Sequence, residues 1–196
     1  MLAAILAGGE NTRFPGPKAF IEIGGRKIIE KALSVLKGIF GEVVISTNEP
    51  ERYFYLGVPL IGDVYNVRGP MTGIFSVFAA TRTPEVFTVA CDMPFINPEL
   101  IKALTEKIRP RFDAPPFDAV IPVWKGRPEP LFALYSASCA PKMETRILEG
   151  RTGLQDFLSE INVLYMDEGQ VGAIDSAGRS FININTPGDM EKIGAL

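Results

Sequence analysis

The first informative feature of the sequence is an absence: none of its 196 residues is a histidine. The chain therefore cannot form a Ser-His-Asp or Cys-His nucleophile, a histidine general base or a histidine metal ligand. Its two cysteines, Cys91 and Cys139, are far apart in sequence and form no CxxC pair, which excludes a tetrahedral zinc site. Any bound metal should be a hard cation held by oxygen ligands, and magnesium is the expected ion.

A basic excess and long apolar runs are also absent. Twenty Lys and Arg stand against 23 Asp and Glu, giving a net charge of −3, so a nucleic-acid-binding surface is not expected. No segment approaches the roughly 18 apolar residues of a membrane span. Residues 1–7 lack the cationic segment of a signal peptide and instead predict a buried strand. Sparse cysteines indicate reduced thiols and a cytoplasmic location.

The first half of the chain alternates short apolar runs with helical patterns. Strands are predicted at 2–6, 43–46 and 86–91, and helices at 27–40, 71–82 and from Asn97-Pro98 onward. Such alternation, with strands that are apolar throughout, predicts an α/β fold whose mainly parallel sheet is covered on both faces. Ligand sites in such folds lie beyond the carboxyl ends of the strands.

The second half is less regular. It predicts strands at 118–124, 131–135, 162–166 and 181–184, and helices at 139–149, 153–161 and 187–196. A proline-broken link at 110–116 is expected to separate two lobes of one domain of 196 residues, an N-terminal lobe of residues 1–109 and a C-terminal lobe of residues 117–196.

A glycine loop follows the first predicted strand. Gly8 and Gly9 let the backbone approach a ligand closely and point N–H groups at phosphate oxygens, while Arg13 and Lys18 can neutralise those oxygens. The loop matches neither a Walker A sequence nor a GxGxxG fingerprint. Glycines alone would indicate an ordinary turn, but with two cations at this spacing phosphate binding is the better interpretation.

Two further segments follow predicted strands or open a predicted helix. Asp92 comes directly after a buried strand, which suits a carboxylate that holds Mg²⁺ over the sheet edge, although an aspartate that opens a turn is common. Gly62-Asp63 precedes Gly69 and Gly73, which flank a predicted helix start. Free N–H groups there favour anions or base edges, and an ordinary proline-led helix entry explains these residues equally well.

Near the C-terminus, strand alternation predicts that Asn183 and Asn185 lie on one face. Buried amides need partners, so this pair fits a polar ligand site or a cation site. Thr186 is explained by capping of the next helix. Glu129, between Pro128 and Pro130, is expected to be an exposed turn residue.

Taken together, these segments resemble the molybdenum cofactor guanylyltransferase family of nucleotidyltransferases. The matching elements run in family order over nearly the whole chain: the Leu-Ala-Gly-Gly loop at 6–9 with Arg13 and Lys18, Gly-Pro-Met-Thr-Gly at 69–73, Cys-Asp-Met-Pro-Phe at 91–95, Glu-Pro-Leu at 129–131 and Asn-Ile-Asn-Thr-Pro at 183–187. Family loops usually carry Met-Gly where this chain has Phe14-Pro15, and often Asp where it has Pro17. These departures predict a differently shaped loop.

The resemblance implies a three-layer, Rossmann-like α/β sandwich of the nucleotide-diphospho-sugar transferase type, with a mixed but mainly parallel sheet. It implies transfer of GMP from GTP to molybdopterin with Mg²⁺ as cofactor and release of pyrophosphate. Transient contacts with other molybdenum cofactor proteins are implied, and no nucleic acid or membrane partner. Carried over by position, the nucleotide would contact Leu6, Ala7, Gly8, Gly9, Lys18, Asp63, Gly73 and Asp92. Asp92 would hold the metal, Arg13, Lys18 and Asp92 would be catalytic, and Asn183 and Asn185 would bind the acceptor.

Two alternatives stay open at the level of sequence. The first is the same chemistry with other substrates, either CTP with molybdopterin or a nucleotide with a sugar phosphate. The second is a nucleotide-binding regulatory protein without turnover, against which Lys18 and Asp92 argue together, because a sensor needs no metal aimed at the α-phosphate.

Overall fold

A mixed β-sheet forms the centre of the computed structural model, which describes residues 1–8, 18–108, 116–184 and 189. The sheet strands are β1 (Leu2–Leu6), β4 (Val43–Ser46), β5 (Leu60–Ile61), β6 (Glu85–Ala90), β7 (Ala119–Trp124), β8 (Arg127–Pro128), β9 (Ala133–Ser136) and β10 (Val163–Met166), while β2 (Glu22–Ile23) and β3 (Arg26–Lys27) form a separate hairpin. The sheet strands lie in the order β10-β7-β9-β6-β1-β4-β5, and β8 pairs with β7.

Most strand pairs in this sheet are parallel. β1 pairs in parallel with β4 and β6, β4 with β5, and β7 with β10. β9 runs antiparallel to both β6 and β7, which makes the sheet mixed. As a result, the carboxyl ends of β6, β1, β4 and β5 meet at one edge, and β7 and β10 end at the same edge.

Helices cover both faces of the sheet. They are α1 (Ile28–Lys37), α2 (Pro70–Thr81), α3 (Pro98–Lys107), α4 (Ala140–Leu148), α5 (Leu154–Phe157) and α6 (Glu168–Gly172). The apolar sides of α1, α3 and α6 pack in one core cluster, and those of α2, α4 and α5 pack in a second. The predicted three-layer α/β sandwich is therefore confirmed.

The central strand, β1, shows why the strands of this sheet are apolar at every position and do not alternate between apolar and polar residues. All five residues of β1 are buried. Ala3 and Ile5 join one core cluster, whereas Leu2, Ala4 and Leu6 join the other. A strand covered on both faces has no solvent side to carry polar residues.

Several helix boundaries follow local chemistry. Asn97 caps α3, because its side-chain oxygen accepts hydrogen bonds from the backbone N–H groups of Glu99 (2.9 Å) and Leu100 (3.4 Å), and Pro98 occupies the first turn as predicted. α2 begins directly after Gly69, again with proline first. No helix among the described residues is both long and apolar enough to cross a membrane.

One predicted element is wrong. Residues 181–184 form no strand: Arg179–Phe181 is a 3-10 turn and the chain from 182 to 184 is irregular. Two backbone N–H groups of that turn donate hydrogen bonds to the Asp175 carboxylate, a contact that strand alternation does not reveal. The predicted helix at 187–196 and nearly all of the link at 110–116 lie outside the described residues.

Candidate active site

Four neighbouring parallel strands end side by side, and a chemically useful residue follows each of them. Asp92 comes after β6, Gly8 after β1, Asn48 after β4 and Asp63 after β5. Neighbouring strands lie about 4.8 Å apart, so the three spacings from β6 to β5 span roughly 14 Å. This edge offers an elongated platform with a carboxylate at each end.

At one end of the platform, Lys18 and Asp92 form an ion pair. The Lys18 Nζ atom lies 3.3 Å from Asp92 Oδ2, and the two side chains are 19% and 17% exposed. The backbone of Asp92 is also held, because the N–H of Ile184 donates to its carbonyl oxygen at 3.1 Å. The pair is therefore fixed on the protein side but remains open to a small ligand.

At the other end, Asp63 and Asn48 hold each other by two hydrogen bonds. Asn48 Nδ2 donates to Asp63 Oδ2 at 2.7 Å, and the backbone N–H of Asp63 donates to Asn48 Oδ1 at 2.8 Å. The exchange fixes the position of Asp63 although both residues are beyond their strands. The sequence places Thr47-Asn48 directly after a predicted parallel strand, where ligand sites lie, but it does not predict a role for Asn48 or its contact with Asp63.

Between these ends, β1 delivers the start of the glycine loop. The carbonyl oxygen of Leu6 accepts from Cys91 N at 3.1 Å, and Ala7 N donates to Ser46 O at 2.8 Å. The Leu6 carbonyl and the Ala7 N–H therefore already have hydrogen-bond partners within the sheet. Gly8 is exposed, and a Cβ atom there would meet nothing within 4 Å. Gly9, Arg13 and the altered loop of residues 14–17 lie outside the described residues.

The start of α2 is packed tightly against the sheet. A Cβ atom on Gly73 would lie 2.7 Å from Ser46 Oγ, so this glycine lets the helix approach β4. Gly69 has a φ of +150°, and a Cβ there would lie 2.7 Å from the Thr152 side chain. The geometry explains both glycines by backbone conformation and close approach.

Replacement of Gly73 by alanine should therefore destabilise the protein. Ser46 is 4% exposed, so its hydroxyl has little room to move away. Overpacking of this kind costs about 1–3 kcal/mol, and the better helix propensity of alanine returns up to about 1 kcal/mol. We expect a net loss of about 1–2 kcal/mol in the free energy of unfolding, measured by urea denaturation.

The combination Gly73→Ala with Ser46→Ala is the control, because it removes the hydroxyl that the new methyl group meets. The double variant should recover most of the loss, which would give a clear coupling energy in a double-mutant cycle. Equal stability of Gly73→Ala and the unmodified protein would contradict this packing role.

Hydrogen bonds to a buried aspartate organise the segment that contacts Asp92. Asp175, 7% exposed, accepts from the backbone N–H groups of Arg179 (3.0 Å) and Ser180 (2.8 Å). Ser180 Oγ in turn accepts from Asn97 N at 3.0 Å. The chain then continues to Ile184, whose N–H holds the Asp92 carbonyl. Asp175 is therefore a positioning residue behind the site.

We expect Asp175→Asn to lower the free energy of unfolding by about 1–3 kcal/mol, since an amide group cannot accept both backbone bonds. Thermal or urea denaturation measures the change. Asp156→Asn, an exposed aspartate of α5, is the matched control and should behave like the unmodified protein. A loss in the control as large as that in Asp175→Asn would contradict the role of the two hydrogen bonds.

Asn183 lies close to this segment, half-buried, with its Nδ2 atom 3.4 Å from the carbonyl oxygen of Phe181. Because no strand forms here, the predicted alternation of Asn183 with Asn185 does not apply. Asn185 itself lies outside the described residues.

The Cys91 thiol, next to Asp92, is not a nucleophile at neutral pH. Burial, followed by the charge of Asp92, raises the pKa of the Cys91 thiol to about 12. The thiol therefore stays protonated at neutral pH, and the thiolate that a nucleophile needs does not form. Among the described residues, the charged groups at this end of the platform are the Lys18 ammonium and the Asp92 carboxylate.

Asp92 offers oxygen donors of the kind that bind a hard metal ion. Among the described residues, no cluster of three or more Cys, Asp and Glu side chains is suitable for a metal. A complete protein cage is therefore not formed by this part of the chain, but Asp92 already attracts a cation, the Lys18 ammonium. Mg²⁺ commonly binds through one or two carboxylates and completes its shell with phosphate oxygens and water, so Asp92 fits this ion.

A mainly parallel sheet with a lysine–aspartate pair at its strand ends is typical of enzymes that act on nucleotides, and the comparisons identify the class as nucleotidyltransferase. A sequence profile described as the MobA-like NTP transferase domain matches residues 3–164. The chain belongs to this family, within its molybdenum cofactor guanylyltransferase branch.

Similar proteins support the assignment. The chain is 35% identical over 97% of its length to a probable molybdenum cofactor guanylyltransferase of Natranaerobius thermophilus, covering 93% of that protein. It is 33% identical to the molybdenum cofactor guanylyltransferase of Desulfosudis oleivorans, with coverage of 97% and 93%.

Solved structures agree with the fold. The crystal structure of molybdopterin-guanine dinucleotide biosynthesis protein A from Archaeoglobus fulgidus superposes with a TM-score of 0.82 at 29% identity, covering 98% of this chain and 96% of that one. A CMP:2-keto-3-deoxy-manno-octonic acid synthetase solved with CTP has a TM-score of 0.75 at 15% identity, with coverage of 99% and 96%, and shows the fold alone.

Proposed function

We propose that this enzyme transfers GMP from GTP to molybdopterin, with Mg²⁺ as cofactor and pyrophosphate as the second product. The observation that carries the proposal is the Lys18–Asp92 ion pair at the carboxyl edge of the sheet, beside the start of the glycine loop. Membership of the family and the names of its relatives support the choice of donor and acceptor.

In this proposal the nucleotide lies along the platform. Its triphosphate occupies the end with Lys18 and Asp92, near the loop that contains Gly9 and Arg13. Its nucleoside extends past Leu6, Ala7 and Gly8 towards Asp63, beside the α2 turn that includes Gly73. The roughly 14 Å between the outer strands is adequate for a ligand of this shape.

The reaction is a displacement at the α-phosphorus. A phosphate oxygen of the acceptor forms the new bond to phosphorus, and the bond to the bridging oxygen breaks, releasing pyrophosphate. An acceptor phosphate is already ionised near neutral pH, so no proton has to be removed by the protein. The absence of histidine from the chain is consistent with this chemistry.

Protein groups contribute mainly position and charge in such a reaction. Lys18 and Arg13 neutralise negative charge that develops on the leaving phosphates. Asp92 would hold Mg²⁺, which would supply further neutralisation of phosphate charge. The Ile184 N–H holds the Asp92 backbone at 3.1 Å and the Lys18 ammonium contacts its carboxylate at 3.3 Å, so both parts of the residue are positioned by the protein.

The acceptor is proposed to bind on the remaining side, in the lobe of residues 117–196, with Asn183 and Asn185 as contacts, whereas residues 1–109 bind the nucleotide. The unpaired thiols of Cys91 and Cys139 support a reducing, cytoplasmic location. Product passed to other molybdenum cofactor proteins would require only transient contacts.

Two assays test the proposal in sequence. Thermal shifts with GTP, CTP, ATP and UTP, each with Mg²⁺, should show the largest stabilisation with GTP. Pyrophosphate release should then depend on both GTP and molybdopterin. A larger rise in melting temperature and faster pyrophosphate release with CTP would show that CTP, and not GTP, is the nucleotide donor. Tight GTP binding without pyrophosphate release would favour a regulatory protein.

A further inference from the structure

Glu129 differs from the exposed turn residue that its sequence predicts. It is half-buried, and desolvation raises the pKa of its carboxyl group, with Arg127 acting weakly in the opposite direction. Among the described residues, none donates a hydrogen bond to the carboxylate or forms an ion pair with it. A half-buried carboxylate that still reaches the surface can accept hydrogen bonds from a bound ligand.

The backbone of Glu129 is fixed from both sides. Its N–H donates to Pro122 O at 2.9 Å, and its carbonyl oxygen accepts from Phe132 N at 3.1 Å. Gln155 Nε2 donates to the carbonyl oxygen of the preceding residue, Pro128, at 2.9 Å. The turn that carries the Glu129 carboxylate is therefore rigid, and a residue that recognises a ligand needs such a fixed position.

Strand register places Glu129 at the edge that carries Asp92. Thr88 of β6 pairs with Ala133 of β9, and the two strands are antiparallel. Asp92 lies four residues after Thr88, and Glu129 lies four residues before Ala133. The chain that leaves β6 and the chain that enters β9 therefore meet at one edge of the sheet.

The order of the strands places Glu129 and Asp63 on opposite sides of Asp92. Asp63 follows β5, which lies beyond β1 and β4 from Asp92, whereas β9 lies on the opposite side of β6. A nucleotide that extends from Asp92 towards Asp63 leaves the β9 side free. On the proposed function, that side belongs to the acceptor.

The geometry points to Glu129 as the residue that recognises the pterin ring of the acceptor, accepting hydrogen bonds from its 2-amino group and the adjacent ring N–H. These two donors are arranged side by side, which matches the two oxygens of a carboxylate in the way a guanidinium group does. The same negative charge repels the acceptor phosphate and leaves it to Lys18 and the metal, so the carboxylate also orients the acceptor.

The test uses Trp124, the one tryptophan of the sequence. Trp124 ends β7, and the next strand, β8, begins three residues later and leads into the Glu129 turn, so quenching of the tryptophan fluorescence reports ligand binding at this turn. Titrations compare 6-hydroxymethylpterin with 6-hydroxymethyllumazine, in which an oxo group replaces the 2-amino donor. Loss of one charge-assisted hydrogen bond corresponds to about a tenfold weaker affinity.

We expect the unmodified protein to bind the pterin about tenfold more tightly than the lumazine, and Glu129→Gln to bind both equally. Glu168→Gln, an exposed glutamate beyond β10 at the same edge, is the matched control and should keep the preference. Glu129→Asp, which keeps the charge but shortens the side chain, should keep part of it, and this variant carries the test if Glu129→Gln does not fold. Absence of a preference in the unmodified protein, or its survival in Glu129→Gln, would overturn the inference.

A kinetic comparison separates this inference from the proposed function on which it rests. In Glu129→Gln, the KM for molybdopterin should rise about tenfold while the KM for GTP and kcat change little. The fluorescence titration contains neither GTP nor Mg²⁺. A pterin preference without guanylyl transfer would refute the proposed function alone, and transfer without a pterin preference would refute the role of Glu129 alone.

Discussion

Asp92→Asn is expected to abolish nucleotidyl transfer. Asparagine keeps the size of the side chain but removes the charge that attracts a divalent cation at the end of β6. The loss of metal-assisted charge stabilisation amounts to several kcal/mol, so turnover should fall by at least about a thousandfold. Pyrophosphate release at saturating GTP, molybdopterin and Mg²⁺ measures the effect.

Asp167→Asn provides a matched control for this result. Asp167 also follows a strand, β10, at the same edge, but three strand spacings from β6. It caps α6 by accepting a hydrogen bond from Gln170 N at 2.9 Å, and asparagine can cap equally well. This variant should retain kcat, whereas near-normal turnover of Asp92→Asn at saturating Mg²⁺ would rule out the metal role of Asp92.

Lys18→Ala is expected to lower kcat/KM by about 10²–10³-fold, the usual effect of removing one donor that stabilises transition-state charge. The Nζ atom lies 3.3 Å from Asp92 Oδ2, so the ammonium is close to the proposed reaction centre. Little reorganisation is then needed when the triphosphate binds. Steady-state kinetics with varied GTP measure the change.

Lys102→Ala is the control for a lost lysine and a lost ion pair. Lys102 lies on α3 and pairs with Glu99 at 2.9 Å, with both side chains at least half exposed. Its removal should leave kcat/KM unchanged, since exposed pairs contribute little. Lys18→Arg, which keeps the charge, should retain part of the activity. An unchanged kcat/KM in Lys18→Ala would remove this residue from the site.

Sequence reasoning reached Lys18 and Asp92 separately, through a glycine loop and a strand end. Their contact could not be predicted from local patterns, because they are 74 positions apart and meet only when β6 pairs with β1. The fold class followed from apolar strands such as β1, whose burial on both faces leaves no polar alternation. Its strand order, including the antiparallel β9, required the register of long-range pairs.

Other features depend on contacts that no short motif encodes. The strand predicted at 181–184 is absent because Asp175 holds the preceding turn. Gly73 is explained by the approach of Ser46, and Asp63 is fixed by Asn48. The two-residue strands of the β2–β3 hairpin are too short for periodicity to detect. In each case the deciding partner comes from a distant or irregular part of the chain.

Transfer of isotope from labelled GTP tests the central claim most directly. With GTP labelled in its α-phosphate, molybdopterin and Mg²⁺, the account predicts that the label appears in a molybdopterin–guanine dinucleotide, while label in the γ-phosphate appears only in pyrophosphate. Asp92→Asn should form no labelled dinucleotide. Absence of α-label from any molybdopterin product of the unmodified protein, or more efficient transfer from CTP, would contradict it.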